Sequence, residues 1–322
     1  MLLSVKQKIS INLSIFPMDF SLDNLLTFIQ VCRERSFSEA AEVLHKSQSA
    51  VSTQIALLED QAGLKFFDRS ARPLRLTEAG NIFVRFAEEF IHKRDELDRV
   101  LAELATGTGG DVRIGATISI ANYLLVPVVS EILKQHPKLK IKILARLRSH
   151  TYESVRHGEM DFAVVLADKV PADLLGHFIS EAPLCFVASS KHNSLYRTPI
   201  TLDQLRTIPF VMALETDQLS GYTETIMKIL KEAGCSEPTV ALQISDLEGI
   251  KEAVREGLGI TLLPRYAVRR EISEKIFTQV EVKKFSVSSR VMLIERPNHF
   301  TSPSVRSVKA LVEAALRDLK AY

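Results

Sequence analysis

The apolar positions near the N-terminus recur at the spacing of an amphipathic helix. Four side chains stand at i, i+3, i+4 and i+7: Leu22, Leu25, Leu26 and Ile29. This spacing places them on one helical face. Polar residues at 33–36 interrupt the series. The pattern predicts a first helix that begins near residue 19 and ends where these polar residues begin.

Two serines are suited to begin the next two helices. Ser38 can cap a short alanine-rich helix that ends at Leu44, and Ser47 can cap a longer helix over 48–60. Apolar residues of the longer helix face inward, while another stripe carries hydroxyl and amide side chains: Gln48, Ser49, Ser52 and Thr53. Two helices joined by a tight turn, the second with such a stripe, are typical of a helix-turn-helix, whose second helix enters the major groove of DNA.

The segment 64–77 predicts a two-stranded wing that carries a cluster of cations. Phe66 and Phe67 are expected in the core. Four cations stand beside the single anion Asp68: Lys65, Arg69, Arg72 and Arg75. Such a loop can contact phosphates, and one arginine can enter the minor groove. The region 18–80 contains seven basic and nine acidic residues, so tight binding must depend on the wing and on dimerisation.

A long helical segment with a coiled-coil seam follows the wing. Apolar residues step by three and four, with one polar intrusion at Lys93: Phe83, Phe86, Phe90, Leu97, Val100 and Leu104. We expect this helix to pair with the same helix of a second subunit, which would set two DNA half-sites about one turn, ~34 Å, apart. Packing against its own chain is the alternative. The glycine-rich segment 106–110 predicts a flexible hinge.

Strand and helix patterns alternate after residue 110. Apolar runs predict strands at 112–115, 140–144, 162–166, 184–188, 210–212, 260–264 and 291–294, with a helix at about 120–135. This alternation is typical of an α/β fold with a mainly parallel sheet. Ligands of such sheets bind beyond the carboxyl ends of the strands.

The motifs of the N-terminal region closely resemble those of the LysR-type transcriptional regulators. The resemblance is carried by a gap-free string at 36–55, then Leu58-Glu59, Gly63, Phe66-Phe67-Asp68-Arg69 and Leu76-Thr77-Glu78-Ala79-Gly80. Strings similar to the effector domain of this family lie at 113–115, 123–125, 157–163 and 257–264. The resemblance runs from about residue 19 to the C-terminus.

The resemblance implies an N-terminal all-α winged helix-turn-helix with a long linker helix, and a C-terminal two-lobed α/β domain similar to periplasmic binding proteins. We expect a disordered or helical extension at 1–17, a DNA-binding domain at 18–78, the dimerising linker helix at 79–105, the hinge at 106–110 and an effector-binding domain at 111–322. Within the effector-binding domain, lobe I comprises 111–182 and 288–322, and lobe II comprises 183–287.

The resemblance implies that Arg72 enters the minor groove and that four residues of the second helix face bases and nearby phosphates: Gln48, Ser49, Ser52 and Thr53. With Ser47 at the start of that helix and Arg69 in the wing, seven residues are predicted to contact DNA. Ser49 stands where the family usually has proline, and Thr53 where it has arginine, glutamine or histidine. Because threonine cannot make a bidentate contact with a base edge, specificity is expected to depend more on Gln48, on Ser52 and on DNA shape. A solvated helix face is the alternative for Ser49 and Thr53.

The resemblance also assigns seven residues to a small-molecule effector: Thr117, Ser119, Arg148, Ser149, Thr216, Gln243 and Ser245. Hydroxyl groups at a helix N-terminus suit a carboxylate or another anion. Arg148 would favour an anionic effector through a bidentate contact, and a solvated surface arginine is the alternative. The expected partners are double-stranded promoter DNA, the effector, further copies of the chain as a dimer or tetramer, and RNA polymerase.

The composition is that of an ordinary globular protein of two or three domains. The chain has 322 residues, of which 46% are hydrophobic and 25% charged, a formal net charge of +2, and three cysteines too sparse for a disulfide framework. No apolar run reaches the ~18 residues of a membrane span, and no catalytic, metal or cofactor motif stands out. We expect a cytoplasmic regulator that is not an enzyme. The alternatives are a transporter's solute-binding protein and an enzyme with an appended DNA-binding module.

Overall fold

The structure is a computed structural model in which the chain divides into two compact units between Leu97 and Asp98. It describes residues 21–106, 109–191, 199–205, 207–214, 238–283, 286–297 and 299–317, together with Thr223, Met227, Lys228, Leu230, Lys231, Gly234 and Leu319. The predicted extension at 1–17, part of the predicted hinge and the predicted effector residue Thr216 lie outside the described residues.

The N-terminal unit begins with three helices, as the sequence predicts. They are α1 (Leu22–Glu34), α2 (Phe37–Val43) and α3 (Gln48–Ala62). The side chains of three serines cap them by accepting a backbone N–H: Ser21, Ser36 and Ser47. The prediction of a cap at Ser38 was wrong, because α2 already begins at Phe37. After α3 the chain turns at Gly63, whose φ of +65° suits glycine.

A two-stranded wing follows α3. Its strands, β1 (Phe67–Asp68) and β2 (Arg75–Leu76), pair antiparallel, as predicted. The core of this unit is largely aromatic. The ring of Phe66 stacks on that of Phe83 with 4.4 Å between centroids, and Phe28 makes edge contacts with both. The helices add apolar side chains that include Leu25, Val51, Ile55 and Leu58. This packing buries the face of α3 that the sequence pattern predicts to be inward.

One helix of 29 residues, α4 (Glu78–Thr106), follows the wing. Its first turn lies against the wing, because a Cβ on Gly80 would stand 2.1 Å from the carbonyl oxygen of Phe66. Phe83 and Ala87 are buried in the core of the N-terminal unit. Val100, which lies in the second unit, is also buried. The helix therefore contributes buried residues to both units.

The second unit contains a mixed sheet that extends through both lobes. The strands are β3 (Asp111–Ala116), β4 (Lys140–Ala145), β5 (Phe162–Leu166), β6 (Leu175–Ser189), β7 (Phe210–Ala213), β8 (Val240–Ile244), β9 (Thr261–Pro264), β10 (Phe277–Val280) and β11 (Ser288–Glu295). Parallel pairing joins β3 to β4 and β5, and separately β7 to β8. Antiparallel pairing joins β11 to β5 and β6, and β6 to β9 and β10. The prediction of a mainly parallel sheet was therefore wrong for the described strands.

The long strand β6 explains this mixed pairing. Its first half pairs with β11 in lobe I, and its second half pairs with β9 and β10 in lobe II. Each of the seven predicted strands overlaps an observed one. The strands β8 and β10 and the first half of β6 were not predicted.

Helices cover the sheet in both lobes. Lobe I has α5 (Ile118–Ile120), a π-helical turn (Ala121–Leu125), α6 (Val126–Gln135), α7 (Arg148–Arg156) and α11 (Pro303–Leu316). Lobe II has α8 (Leu202–Leu205), α9 (Leu247–Arg255) and α10 (Arg265–Ser273). The helix predicted at 120–135 is observed with the π-helical turn inside it. Separate apolar clusters, one with Ile114 and Val308 and one with Val155 and Val165, fill lobe I.

Candidate DNA-binding and effector-binding sites

The outward face of α3 carries the side chains predicted to contact bases. Gln48, Ser49 and Thr53 are exposed, and Ser52 is half-buried. The inward apolar residues of the same helix are fully buried. The helix therefore presents a polar, hydrogen-bonding face to the outside, which is the arrangement needed to contact base edges.

Some of these hydroxyl groups already hold local hydrogen bonds. Ser47 Oγ accepts from the amide of Ala50 at 3.2 Å and lies 3.0 Å from Ser49 Oγ. Thr53 Oγ1 donates to the carbonyl oxygen of Ser49 at 2.8 Å, so its only donor is used by the helix backbone. Gln48 offers donors and an acceptor on one exposed amide, and it is the side chain of α3 best suited to a bidentate base contact.

The turn before α3 is fixed by Lys46. Its Nζ lies 2.8 Å from the carboxylate of Asp23 on α1, and it donates to Thr27 Oγ1 at 3.2 Å and to Gln54 Oε1 at 3.1 Å. Hydrogen bonds from Lys46 and Gln54 lower the pKa of the Asp23 carboxyl group. Lys46 therefore ties α1 to α3, and its charge is used inside the protein.

The arginines of the wing differ in their surroundings. Arg69 lies 3.5 Å from the carboxylate of Glu59, and its guanidinium carbon lies 5.3 Å from the ring centroid of Phe37. Arg72 is exposed, and its Nη1 donates to the carbonyl oxygens of Arg69 and Ala71, both at 3.1 Å. Among the described residues, Arg72 therefore makes no ion pair with a carboxylate, whereas Arg69 pairs with Glu59.

The exposed apolar stripe of α4 differs in phase from the predicted seam. Four of the predicted residues are exposed: Phe86, Phe90, Leu97 and Leu104. Phe83 and Val100 are only 8% and 6% exposed, so their assignment to the exposed seam was wrong. Phe83 is buried in the core of the N-terminal unit. Ile82 and Leu101, which are 60% and 53% exposed, extend the surface stripe in their place.

Two predicted effector residues follow β3, at the carboxyl end of a central strand. The hydroxyl oxygen of Thr117 is buried and has no hydrogen-bond partner among the described residues. Ser119 Oγ lies 3.3 Å from the hydroxyl oxygen of Tyr266, which stands on α10 of lobe II. Burial raises the pKa of Tyr266, so its hydroxyl stays protonated. The structure thus brings Ser119 of lobe I next to a hydroxyl group of lobe II that sequence reasoning missed.

The remaining predicted effector residues are more scattered. Arg148 is half-buried at the start of α7, and its Nη1 donates to the carbonyl oxygen of Leu166 at 3.3 Å, at the end of β5. Ser149 is exposed beside it. Gln243 on β8 and Ser245 just after β8 are both exposed. Their joint contact with one ligand stays a prediction.

A polar cluster that sequence reasoning missed joins the two lobes. Lys251 on α9 is almost fully buried, with its Nζ 2.5 Å from Glu271 Oε1 and 3.0 Å from the hydroxyl oxygen of Tyr123, which lies in the π-helical turn of lobe I. The Tyr123 hydroxyl donates to Glu248. Burial acts to lower the pKa of Lys251, but its contacts with Glu271 and Tyr123 outweigh burial and raise the pKa overall. Lys251 therefore remains a buried cation at the junction of the lobes.

The last turns of α4 are held against lobe I. Arg99 Nη1 lies 3.1 Å from Asp161 Oδ1, and Asp161 Oδ2 accepts from the backbone N–H of Arg113 at 2.7 Å. Glu103 Oε1 accepts from the N–H and the hydroxyl of Ser304, at 2.9 and 2.8 Å, near the start of α11. These contacts fix the end of α4 immediately before the predicted hinge.

Two features are absent among the described residues. No group of three or more His, Cys, Asp or Glu side chains is arranged to hold a metal ion there. None of the helices in that part of the chain has both the length and the apolar character needed to cross a membrane.

A helix-turn-helix with an exposed hydrogen-bonding face, followed by a two-lobed α/β domain, defines a DNA-binding protein with an attached ligand-binding domain. Comparison with known families supports this class. Residues 22–81 match the family described as bacterial regulatory helix-turn-helix protein, lysR family. Residues 105–317 match the LysR substrate binding domain. The chain belongs to the LysR family, and it is a DNA-binding transcription regulator with an effector-binding domain.

Relatives and solved structures agree with this assignment. The probable RuBisCO transcriptional regulator of Cyanidioschyzon merolae is 29% identical over 289 residues, which cover 88% of this chain and 94% of that protein. The protein of the same description from Synechocystis is 27% identical, covering 88% of this chain and 83% of its own. The crystal structure of CbnR, a LysR family transcriptional regulator, superposes with a TM-score of 0.69 at 16% identity, covering 93% of this chain and all of CbnR. ArgP from Mycobacterium tuberculosis superposes with a TM-score of 0.67 at 21% identity, covering 92% and 97%.

Proposed function

We propose that α3 and the wing contact double-stranded promoter DNA through Ser47, Gln48, Ser49, Ser52, Thr53 and Arg72. The observation that carries this proposal is the polar outward face of α3, opposite fully buried apolar residues. In this arrangement Gln48 and Ser52 contact base edges, and the N-terminal amides of α3 meet a phosphate. Thr53 contributes a thymine-methyl or phosphate contact, since its donor is used within the helix.

Arg72 is the wing residue that enters the minor groove in this proposal. It is exposed, and its Nη1 donates to the backbone carbonyl oxygens of Arg69 and Ala71. The narrow minor groove has an enhanced negative potential that attracts an arginine side chain. Arg72 would therefore add affinity and a preference for DNA shape.

The effector-binding domain takes a small anionic molecule between its lobes. The hydroxyl groups of Thr117 and Ser119 stand beyond the carboxyl end of β3, where ligands of α/β sheets bind, and the Thr117 hydroxyl lacks a described partner. Arg148, Ser149, Thr216, Gln243 and Ser245 complete the proposed set. The chain acts in the cytoplasm as a regulator and not as an enzyme.

The chain assembles with further copies of itself through α4. The exposed stripe of α4 leaves large apolar side chains in water, which favours burial against the same stripe of a second subunit. A dimer, or a tetramer of two dimers, would present two copies of α3 to successive half-sites. Effector binding would then shift the subunits between two arrangements and change the spacing or bending of bound DNA before RNA polymerase acts.

The substitution Arg72→Ala tests the DNA-binding proposal. We expect it to weaken binding to duplex DNA from upstream of the protein's own gene by at least about fivefold, which corresponds to ~1 kcal/mol or more. The dependence of log K on log salt should also become shallower by about 0.9, because one cation that displaces counterions from the DNA is lost. Arg306→Ala, which removes an exposed arginine from lobe I, is the matched control. Equal affinities of Arg72→Ala and the control in a titrated gel shift would contradict the proposal.

A further inference from the structure

A fully buried carboxylate stands at the base of the wing. Glu59 lies near the end of α3, and its side chain has no exposed surface. Its Oε1 accepts from the backbone N–H of Phe66 at 2.8 Å and from that of Phe67 at 3.3 Å. These two residues lead from α3 into β1, so Glu59 holds the beginning of the wing to the helix that faces DNA.

The second oxygen of the same carboxylate faces two cations of the wing. Glu59 Oε2 lies 3.1 Å from Lys65 Nζ and 3.5 Å from Arg69 Nη2. Arg69 also lies over the ring of Phe37, which holds its guanidinium near the protein. A buried carboxylate is costly unless its lone pairs are satisfied and its charge is offset. Here two amides satisfy Oε1, and two cations offset the charge at Oε2.

The four cations of the wing therefore divide into two pairs. All four side chains are exposed, but Lys65 and Arg69 make ion pairs with Glu59, whereas Arg72 and Arg75 make none with it. Since affinity for DNA scales with the number of phosphates that cations neutralise, Glu59 decides how many wing cations act on DNA.

We propose that Glu59 is a positioning residue for DNA binding. It fixes the base of the wing through two backbone amides, and its carboxylate holds the side chains of Lys65 and Arg69 in ion pairs. Arg72, in the minor groove, and Arg75, at a phosphate, are then the wing cations that act on DNA. This role limits the affinity of the protein for DNA of any sequence and leaves more of the binding energy to base contacts by α3.

The substitution Glu59→Gln tests the proposal with a random-sequence 30-base-pair duplex as the probe. Glutamine has nearly the same shape and keeps an oxygen acceptor for the amides of Phe66 and Phe67, but it removes the negative charge. Two released cations would steepen the salt dependence by about 0.9 each. Between 50 and 200 mM salt, the variant should then lose about 12-fold more affinity than the wild-type protein loses.

Asp60→Asn is the matched control, because Asp60 is the exposed neighbour of Glu59 and lies 3.9 Å from Lys65. We expect its salt dependence to equal that of the wild-type protein. An equally steep dependence in Asp60→Asn would overturn the proposal, because any lost acidic charge would then have the same effect. A wild-type salt dependence in a folded Glu59→Gln variant would also overturn it.

A second variant keeps the test decisive if Glu59→Gln fails to fold, which circular dichroism would reveal. Lys65→Gln alters a largely exposed side chain at the same site. If the ion pair with Glu59 keeps Lys65 away from the phosphates, the salt dependence of Lys65→Gln stays at the wild-type value. A decrease of about 0.9 would show that Lys65 contacts phosphate and would overturn the proposal. Because Arg72→Ala is measured separately, failure here is distinguishable from failure of the DNA-binding proposal.

Discussion

The buried cation at the lobe junction leads to a sharp stability prediction. Lys251→Met keeps most of the length and apolar character of the side chain but removes its charge. Glu271, whose side chain is 10% exposed, would then lose its cationic partner at 2.5 Å. Its other oxygen, Oε2, already lacks a hydrogen-bond partner among the described residues. The variant would therefore leave a poorly satisfied carboxylate in the interior.

The expected size of the effect follows from this burial. Removing one partner of a buried ion pair costs roughly 3–5 kcal/mol, because the other charge stays uncompensated. For a domain of about 150–250 residues, 1 kcal/mol corresponds to about 2–4 °C in Tm. Lys251→Met should therefore lower the Tm of the effector-binding domain by about 6–20 °C. The double variant Lys251→Met/Glu271→Leu removes both charges and should recover most of this loss, since an apolar replacement of a buried pair is often neutral.

A companion variant isolates the part of the cluster that crosses between the lobes. Tyr123→Phe removes the hydroxyl that lies 3.0 Å from Lys251 Nζ but keeps the ring, whose centroid lies 4.8 Å from that atom. A hydrogen bond to a charged group contributes about 1.5–3 kcal/mol, so the Tm should fall by about 3–12 °C. Tyr152→Phe is the matched control, because the buried hydroxyl of Tyr152 has no hydrogen-bond partner among the described residues.

Calorimetry of the full chain is the suitable assay, since the chain has no tryptophan for a fluorescence melt and two units can unfold separately. Circular dichroism at 222 nm provides a second observable. A Tm of Lys251→Met within about 2 °C of the wild-type value would refute the reasoning. So would a double variant as unstable as the single one, because the loss would then come from packing and not from an uncompensated charge.

Two further predictions concern assembly and the effector. Leu97→Glu places a carboxylate in the exposed stripe of α4. It should raise the dimer dissociation constant, measured by sedimentation, more than about a hundredfold, because burying an unpaired charge costs several kcal/mol. Glu96→Gln is the control, and an unchanged mass of Leu97→Glu would exclude α4 as the interface. Ser119→Ala should abolish any thermal shift that phosphate, citrate or benzoate produces in the wild-type protein while DNA binding persists; an equal shift in both proteins would remove Ser119 from the effector site.

Local rules were sufficient for the helix-turn-helix. The apolar spacing of α1 and the serine before α3 located these helices, because N-capping and amphipathicity depend on residues only a few positions apart. The cap of α2 was misplaced because Ser36 and Ser38 are both good caps, and only the structure shows which one the helix uses. The outward stripe of α3 followed from the same spacing.

The phase of the stripe on α4 could not be predicted from spacing. Ile82 and Phe83 are adjacent apolar residues, as are Val100 and Leu101, so either member of each pair fits a seam. Which member turns inward is decided by what packs beside the helix, and for Phe83 this is the ring of Phe66. The phase of the exposed stripe is therefore set by contacts between residues that are not neighbours in the sequence.

The charged residues of greatest structural interest also escaped prediction. Glu59 lies in a run of helical residues next to Asp60, and the two acids look alike until the wing folds back over one of them. Lys251 and Glu271 stand on different helices, and Tyr123 lies far away in the chain. Burial of a charge depends on long-range partners, which spacing within one helix does not reveal.

The shared helix α4 determines where this protein can be divided. A fragment that ends at residue 78 would keep the wing but lose Phe83 and Ala87, and the ring of Phe66 would lose its stacking partner. A fragment that begins at residue 111 would lose Arg99 and Glu103, together with their contacts to lobe I. Ile91 also packs against the core of the N-terminal unit. Chimeras that exchange sensing domains between related regulators should therefore be joined within 92–98, where neither end of the helix is separated from the core that it completes.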